Sequence, residues 1–293
     1  MEEKIFDHDF IKKLSTINFL IKMKLSQGAT GGRKSLAKGS SVEFSDYREY
    51  IQGDDFRRID WNAYGRFEKL FIKLFMEERE AVFNIYLDSS RSMDFGKSKK
   101  STMALKITAS IAYIVLNNFD KILLHKLKDK DITTLSSING KVAFKRLLEK
   151  LSEMEFNGKT ELTSAIKRKD IKARGVSIII SDFFCKESLI DILKYLGYKK
   201  QEIILVQILS DEEVNPDFDN VVNLVDSETE DKLKVSLTPS IIKTYKKTLE
   251  TFTTDLEKQA SKYGANYVKI LSDEPLEQVI LKTFATKGLI RKV

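Results

Sequence analysis

From Ala81 onward, short apolar runs alternate with longer stretches of helical periodicity, and this alternation restricts the fold more than any other feature of the chain. Runs at 81–87, 121–127, 132–136, 176–181, 202–208 and 266–271 read as strands. Stretches near 98–117, 141–153, 161–168, 187–197, 239–262 and 274–286 read as helices. Strands interleaved with helices form β-α-β units, in which crossover helices cover both faces of a parallel sheet. The expected class is therefore α/β, with a doubly wound, mostly parallel, Rossmann-like sheet. Thr238-Pro239 places a cap and a first-turn proline before one late helix, and Gly264 stands where its C-terminus favours a left-handed residue. Two apolar runs, Val221 to Val225 and Lys232 to Val235, flank a polar turn and read as a β-hairpin insertion near 221–236.

The first 80 residues are different material. Phe10, Ile11, Leu14, Ile17, Leu20, Ile21 and Leu25 approach helical spacing, so an amphipathic helix is expected over about 8–26, ended by Gly28, Gly31 and Gly32. Residues 42–80 suggest short strands around a polar turn at Gly53-Asp54-Asp55. The expected division is an N-terminal helix and β-rich appendage over 1–80 and an α/β domain over 81–293. A chain of 293 residues that is 42% hydrophobic is long and apolar enough to bury a full core across these parts.

Charge and cysteine content narrow the setting. The surplus of 50 basic over 43 acidic side chains is modest for this length. It has a local component, because Lys12, Lys13, Lys22, Lys24, Arg33, Lys34 and Lys38 fall in a stretch without an acid. A solvated positive face is the plain reading, and an acidic partner or membrane surface is the sharper one. The single Cys185 excludes an intramolecular disulfide and fits a reducing compartment, with the cytoplasm as the expected location. No window reaches the roughly 18 consecutive apolar residues of a membrane helix, and the first residues do not read as a secretory leader.

The chemistry-bearing residues sit at strand ends. Strand 81–87 runs into Asp88-Ser89-Ser90-Arg91-Ser92, and strand 176–181 runs into Asp182. In a doubly wound sheet, ligands bind outside the carboxyl ends of strands where the strand order reverses. An Asp-x-Ser-x-Ser turn presents a carboxylate and two hydroxyls, hard oxygen donors suited to Mg²⁺. The plain alternative is that Asp88 caps the next turn and Asp182 ends a strand.

Asp88-x-Ser90-x-Ser92, followed by Thr160 in Gly158-Lys159-Thr160 and by Asp182, resembles the metal-ion-dependent adhesion site of von Willebrand A domains. The resemblance implies that Asp88, Ser90, Ser92, Thr160 and Asp182 hold Mg²⁺ or Mn²⁺, the serines directly and the aspartates mostly through water. One position is left for a partner's Asp or Glu. Lys159 departs from the pattern, where a small residue is common. Upstream, Glu43-Phe44, Arg48-x-Tyr50, Gly53-Asp54-Asp55-x-Arg57-x-Ile59-Asp60-Trp61 and Ala63-x-x-Arg66 resemble the signature of the bacterial domain-of-unknown-function 58 family. That likeness implies a non-enzymatic, metal-dependent adaptor working with a MoxR-type AAA+ ATPase, or with its client, in protein maturation or remodelling. No role is assigned to the signature residues Arg48, Tyr50, Gly53, Asp54, Arg57, Asp60, Trp61 and Arg66. Tyr50, Ile59 and Trp61 are expected to pack the appendage against the α/β domain, although Asp54 and Asp55 are equally readable as turn residues and the arginines as ion-pair partners.

Two other classes compete. A metal-dependent phosphatase of the haloacid-dehalogenase type needs a second acid two residues after the first, and that position is Ser90. Gly96-Lys97-Ser98 and Gly158-Lys159-Thr160 lack the glycine five positions earlier that a Walker loop requires. A nucleic-acid binder is suggested by the basic run, but no specific recognition motif accompanies it. His8 and His125 are surface or packing residues rather than zinc ligands in this reading, and Cys185 has no evident base to make it a nucleophile.

Overall fold

The computed structural model describes residues 12–19, 43–76, 81–140, 143–185, 187–216, 221–225, 232–236 and 238–292. These fall into two compact units, one formed by 12–19 with 81–292 and the other by 43–76.

The large unit is built on a six-stranded sheet. Its strands are β4 (Val82–Asp88), β5 (Lys121–Lys128), β6 (Asp131–Asn139), β7 (Gly175–Ser181), β8 (Gln201–Leu209) and β11 (Asn266–Leu271). Their order is β11-β8-β7-β4-β5-β6, with every pair parallel except β5 and β6. The chain winds outward from β4 to β5 and β6 on one side, then from β7 to β8 and β11 on the other, so the order reverses at β4 and β7. This is the doubly wound α/β fold. The 132–136 run lies within the antiparallel edge strand β6, because a turn at Asp129, not a crossover helix, joins it to β5.

Alternation along the central strands separates two cores. Phe83, Ile85 and Leu87 face one layer with Ile178 and Ile180, where the helices at Lys100–Asn117, Phe144–Ser152 and 276–286 pack. Tyr86 and Ile179 face the other, with the helices at Leu162–Lys167, Leu189–Tyr198 and Pro239–Lys262. Every residue of β7 is buried, as its near-continuous apolar run requires of a strand covered on both faces. Gly175 permits β7 to approach β4: a Cβ there would stand 2.2 Å from the Val82 carbonyl oxygen. Thr238 caps the Pro239–Lys262 helix through the Ile241 amide, and Gly264 follows that helix at φ +69°. Among the described residues, β9 (Val221–Val225) and β10 (Lys232–Ser236) pair antiparallel, and their connecting turn lies outside the described residues. No helix among the described residues is long and apolar enough to cross a membrane.

The N-terminal helix expected over 8–26 needs correction where it is described. Lys12 to Leu14 make a helical turn, then Ile17–Phe19 form β1, which pairs antiparallel with β12 (Ile290–Lys292). Leu14 is fully buried in the large unit's core. Helical spacing of apolar residues did not decide the local structure because strand pairing and burial of one side chain offer this segment a better-satisfied backbone. Residues 12–19 therefore belong with the large unit rather than with an appendage. The remainder of that expected helix, and most of the basic stretch, lie outside the described residues.

In the small unit, β2 (Glu43–Glu49) and β3 (Phe71–Met76) pair antiparallel with a bulge between Phe44 and Asp46. Between them lie a 3-10 turn at Phe56–Arg58 and a helix at Trp61–Phe67, where only short strands and a turn were expected. Asp60 starts that helix by accepting from the Asn62 and Ala63 amides, a cap whose sequence signal is one residue long.

Candidate metal centre

β4 and β7 deliver Asp88 and Asp182 side by side at the carboxyl edge of the sheet, at the reversal of strand order. Both are buried, at 3% and 2% exposure. Asp88 Oδ1 accepts from the Ser90 amide at 2.9 Å, and its Oδ2 from the Ser181 hydroxyl at 2.6 Å. The Ser90 and Ser92 hydroxyl oxygens stand 3.0 Å apart in the turn that follows.

Thr160 comes from another segment, and backbone bonds from two directions place it. The Arg91 amide donates to the Gly158 carbonyl and the Asn157 amide to the Ser89 carbonyl, both at 2.9 Å, which ties the 157–160 loop to the 88–92 turn. Asp129, in the left-handed region at φ 51°, accepts from the Glu161 amide and donates to the Lys159 carbonyl. The Thr160 hydroxyl is thereby held buried, within reach of the Leu127 carbonyl at 3.3 Å and of the Asp88 carboxylate. Lys159 is exposed.

Burial, and then the charge of Asp182, push the Asp88 carboxyl above its usual range, against the lowering effect of its hydroxyl and amide donors. Two acids close together in a water-poor place favour a cation. The donor set fits one. Adjacent ligands at ~2.0–2.1 Å in an octahedron lie ~2.9 Å apart, and the two serine oxygens have that spacing. Among the described residues no group of three or more His, Cys, Asp or Glu side chains is placed to hold a metal ion, and the donors gathered here are two carboxylates and three hydroxyls. Such oxygen donors select a hard ion rather than zinc.

One partner of this cluster was not anticipated. Lys100, the first residue of the Lys100–Asn117 helix, is fully buried and donates to Asp182 Oδ2 at 2.7 Å and to Glu213 Oε1 at 2.6 Å. Burial works to lower its pKa, but the two carboxylates prevail and raise it, so it is an ammonium. Asp182 Oδ1 accepts from the Phe184 amide at 3.0 Å, because Phe183 turns through φ 61°. Gly96, at φ +95°, brings the turn before the helix onto Ser210: a Cβ there would meet the Ser210 Cβ at 2.8 Å. The Lys97 amide then donates to Glu212 at 2.9 Å, and Glu213 closes a capping box with Ser210. The Ser-x-x-Glu pattern was readable in the sequence; the choice of Lys100 over its neighbours was not.

His125 and Cys185 stay outside the chemistry. His125 stacks on Tyr86 at 5.0 Å and hydrogen-bonds Thr134 and Asn84, and burial holds it neutral with a pKa lowered to about 3. Burial first, then the charge of Asp88, push the Cys185 thiol up to about 11, away from nucleophilic use.

The upstream signature forms a separate construction in the small unit. Arg48 donates to both oxygens of Asp54 at 2.8 and 3.0 Å, and Asp54 also accepts from the Ile51 amide, around a turn in which Gly53 has φ +108°. The Ile51 amide, then Arg48, hold the Asp54 carboxyl below its ordinary value. Asp60 accepts from Tyr47 at 2.9 Å and pairs with Lys73 at 3.1 Å. These residues, with Arg66 and Phe67, line a hollow of about 370 Å³. Tyr50 is half-buried and Arg57 exposed. Trp61, expected to be a packed side chain, is instead 64% exposed: it stands at the start of its helix, edge-on to Tyr64.

A family model described as protein of unknown function DUF58 matches residues 46–254. Among curated proteins, an uncharacterized protein of Mycobacterium tuberculosis is 22% identical over 291 residues, 97% of this chain and 91% of the relative. A Mycobacterium bovis protein gives the same figures. Similar solved structures include BatB from Bacteroides thetaiotaomicron, at 13% identity and TM-score 0.43 over 71% of this chain and 98% of that one. The VWA domain of SpRpn10 gives 13% and 0.37 over 68% and 92%. Manganese-loaded TRAP of Plasmodium vivax gives 15% and 0.33 over 44% and 57%.

Proposed function

Starting from a chain that belongs to the DUF58 family, we propose a metal-dependent protein-binding adaptor in the manner of von Willebrand A domains. Asp88, Ser90, Ser92, Thr160 and Asp182 hold Mg²⁺ or Mn²⁺, and an Asp or Glu of a partner protein completes the coordination. The observation that carries this reading is the 3.0 Å pair of Ser90 and Ser92 hydroxyls beside the buried Asp88, Thr160 and Asp182, from three segments converging at the switch of strand order. When bound, the ion supplies an electrophilic site for a carboxylate. Ser90, Ser92 and Thr160 supply neutral oxygens, so the cation keeps most of its attraction for one further anion. The exposed Lys159 adds a second attraction for an acidic partner at the rim.

The residues supply ligands and no poised base or nucleophile, which supports binding rather than turnover. A MoxR-type AAA+ ATPase or its client is the proposed partner, on the strength of the family resemblance.

The test is a calorimetric titration with Mn²⁺ and Mg²⁺ together with a pulldown of purified candidate ATPase. Asp88→Asn, which keeps the side chain's shape, should weaken metal binding at least tenfold, and EDTA should release the partner. Metal affinity unchanged in that variant sinks the site assignment, and a complex that survives both EDTA and the substitution places the contact elsewhere.

A further inference from the structure

Both oxygens of Asp182 are already committed, one to the Phe184 amide and the other to the Lys100 ammonium. Asp88 is held differently, by an amide and two hydroxyl groups, all neutral donors. A carboxylate whose charge is met by a buried lysine has less to give a second cation than one that meets only neutral donors. Lys100 has no exit from this position. It is fully buried, shared between Asp182 and Glu213, and bounded by the Phe184 and Phe95 rings at 5.5 and 6.0 Å.

We propose that Lys100 is a positioning residue that withholds Asp182 from the metal, so that the ion is bound weakly until a partner's carboxylate arrives. The proposal rests on the metal-site reading above. The internal ammonium does for Asp182 what a metal ion would otherwise do, and Asp88 with the three hydroxyls carries the direct binding. Glu213 completes the arrangement. It balances the ammonium and, through its capping box at Ser210 and the bond from Tyr245 to its carbonyl at 2.8 Å, anchors the lysine to the Asp211–Val214 turn. Metal and partner then become mutually dependent: each binds better in the presence of the other.

Removing Lys100 alone would leave two acids facing each other in a buried place, so the informative variant is K100M/E213Q, which deletes one charge of each sign. With the full-length protein and Mn²⁺ alone, followed by the electron paramagnetic resonance of the free ion, K100M/E213Q should bind at least tenfold more tightly than the natural protein. The gain should vanish when Asp182→Asn is added, a dependence that mere repacking would not produce. In the natural background, Asp182→Asn should cost at least about threefold less affinity than Asp88→Asn does, and this comparison of two isosteric changes serves if the double variant does not fold. Binding by K100M/E213Q that equals or falls below the natural level, or a loss from Asp182→Asn as large as that from Asp88→Asn, overturns the role given to Lys100 while leaving the site in place. If no version binds Mn²⁺ in a manner that Asp88→Asn abolishes, the metal-site reading itself falls, and this one with it.

Discussion

The two units of this protein invert each other's use of polar and apolar side chains. In the large unit, the residues with chemical potential (Asp88, Ser90, Lys100, Thr160, Asp182) are buried with the core at their backs. In the small unit, only Ala63 and Ile72 of the described apolar side chains are buried, while Phe56, Trp61 and Phe67 are each about two-thirds exposed. Its form comes from polar ties: Asp55 and Asp60 as caps, Arg48 with Asp54, and Asp60 with Tyr47 and Lys73. The lesson is that motifs equally conspicuous in a sequence need not be held by the same physics. One is positioned by strands that cannot shift without breaking a core, the other by a local network that water and salt can reach.

Two aromatic truncations test this contrast at its extremes. Phe83→Ala in β4 removes a ring that is 1% exposed, and should lower the free energy of unfolding by about 3–5 kcal/mol. Chemical denaturation measures it, and a loss below about 1 kcal/mol would mean that the sheet's core is not what holds the large unit.

Acid should act on the large unit first. His125 is neutral in the fold, with a pKa of about 3 against 6.5 for the free side chain, so below 6.5 the unfolded chain binds a proton that the folded one refuses. Stability should therefore fall as the pH drops from 6.5 toward 3, by about 2 kcal/mol at pH 5 relative to pH 8. In the small unit, Asp54 and Asp60 are held below their ordinary value of 3.8. Their contribution is present above that value and is lost only as the pH falls beneath it. His125→Gln should remove the loss between pH 8 and 5. A slope that persists unchanged in that variant assigns the acid sensitivity to other groups.

The smallest effect is expected at Trp61→Ala. An indole with 64% exposure should cost no more than about 0.5 kcal/mol on truncation. A thermal melt showing a large drop would mean that the small unit hides its aromatic residues after all, and would erase the contrast between the two regions.

Much of the large unit is legible in the sequence. Continuous apolar runs such as Val176 to Ile180 have no stable place but a strand covered on both faces, and Thr238-Pro239 and Gly264 marked one helix at both ends. Asp88 and Asp182 were readable as neighbours because each ends such a strand, and parallel strands align their carboxyl ends. The small unit was less legible. The Trp61–Phe67 helix is seven residues long, too short for a periodic signal, and hangs on the cap at Asp60.

From Ala81 onward, sequence by itself determined the succession of strands and helices along the chain, the class of sheet, and which oxygen donors stand at strand ends, because periodicity and turn chemistry are local properties that each segment carries with it. Tertiary structure decided the rest. Ile17–Phe19 became a strand because Ile290–Lys292 lies beside it, and β6 ran antiparallel because its neighbour turned back. Lys97, Lys99 and Lys100 are equivalent in the sequence; only the start of a helix, a glycine pressed onto Ser210, and two carboxylates from distant segments, Asp182 after β7 and Glu213 in the Asp211–Val214 turn, selected Lys100 for burial. A buried charge is tolerated only where its partners converge, and that convergence is a property of the assembled sheet, which no single segment contains.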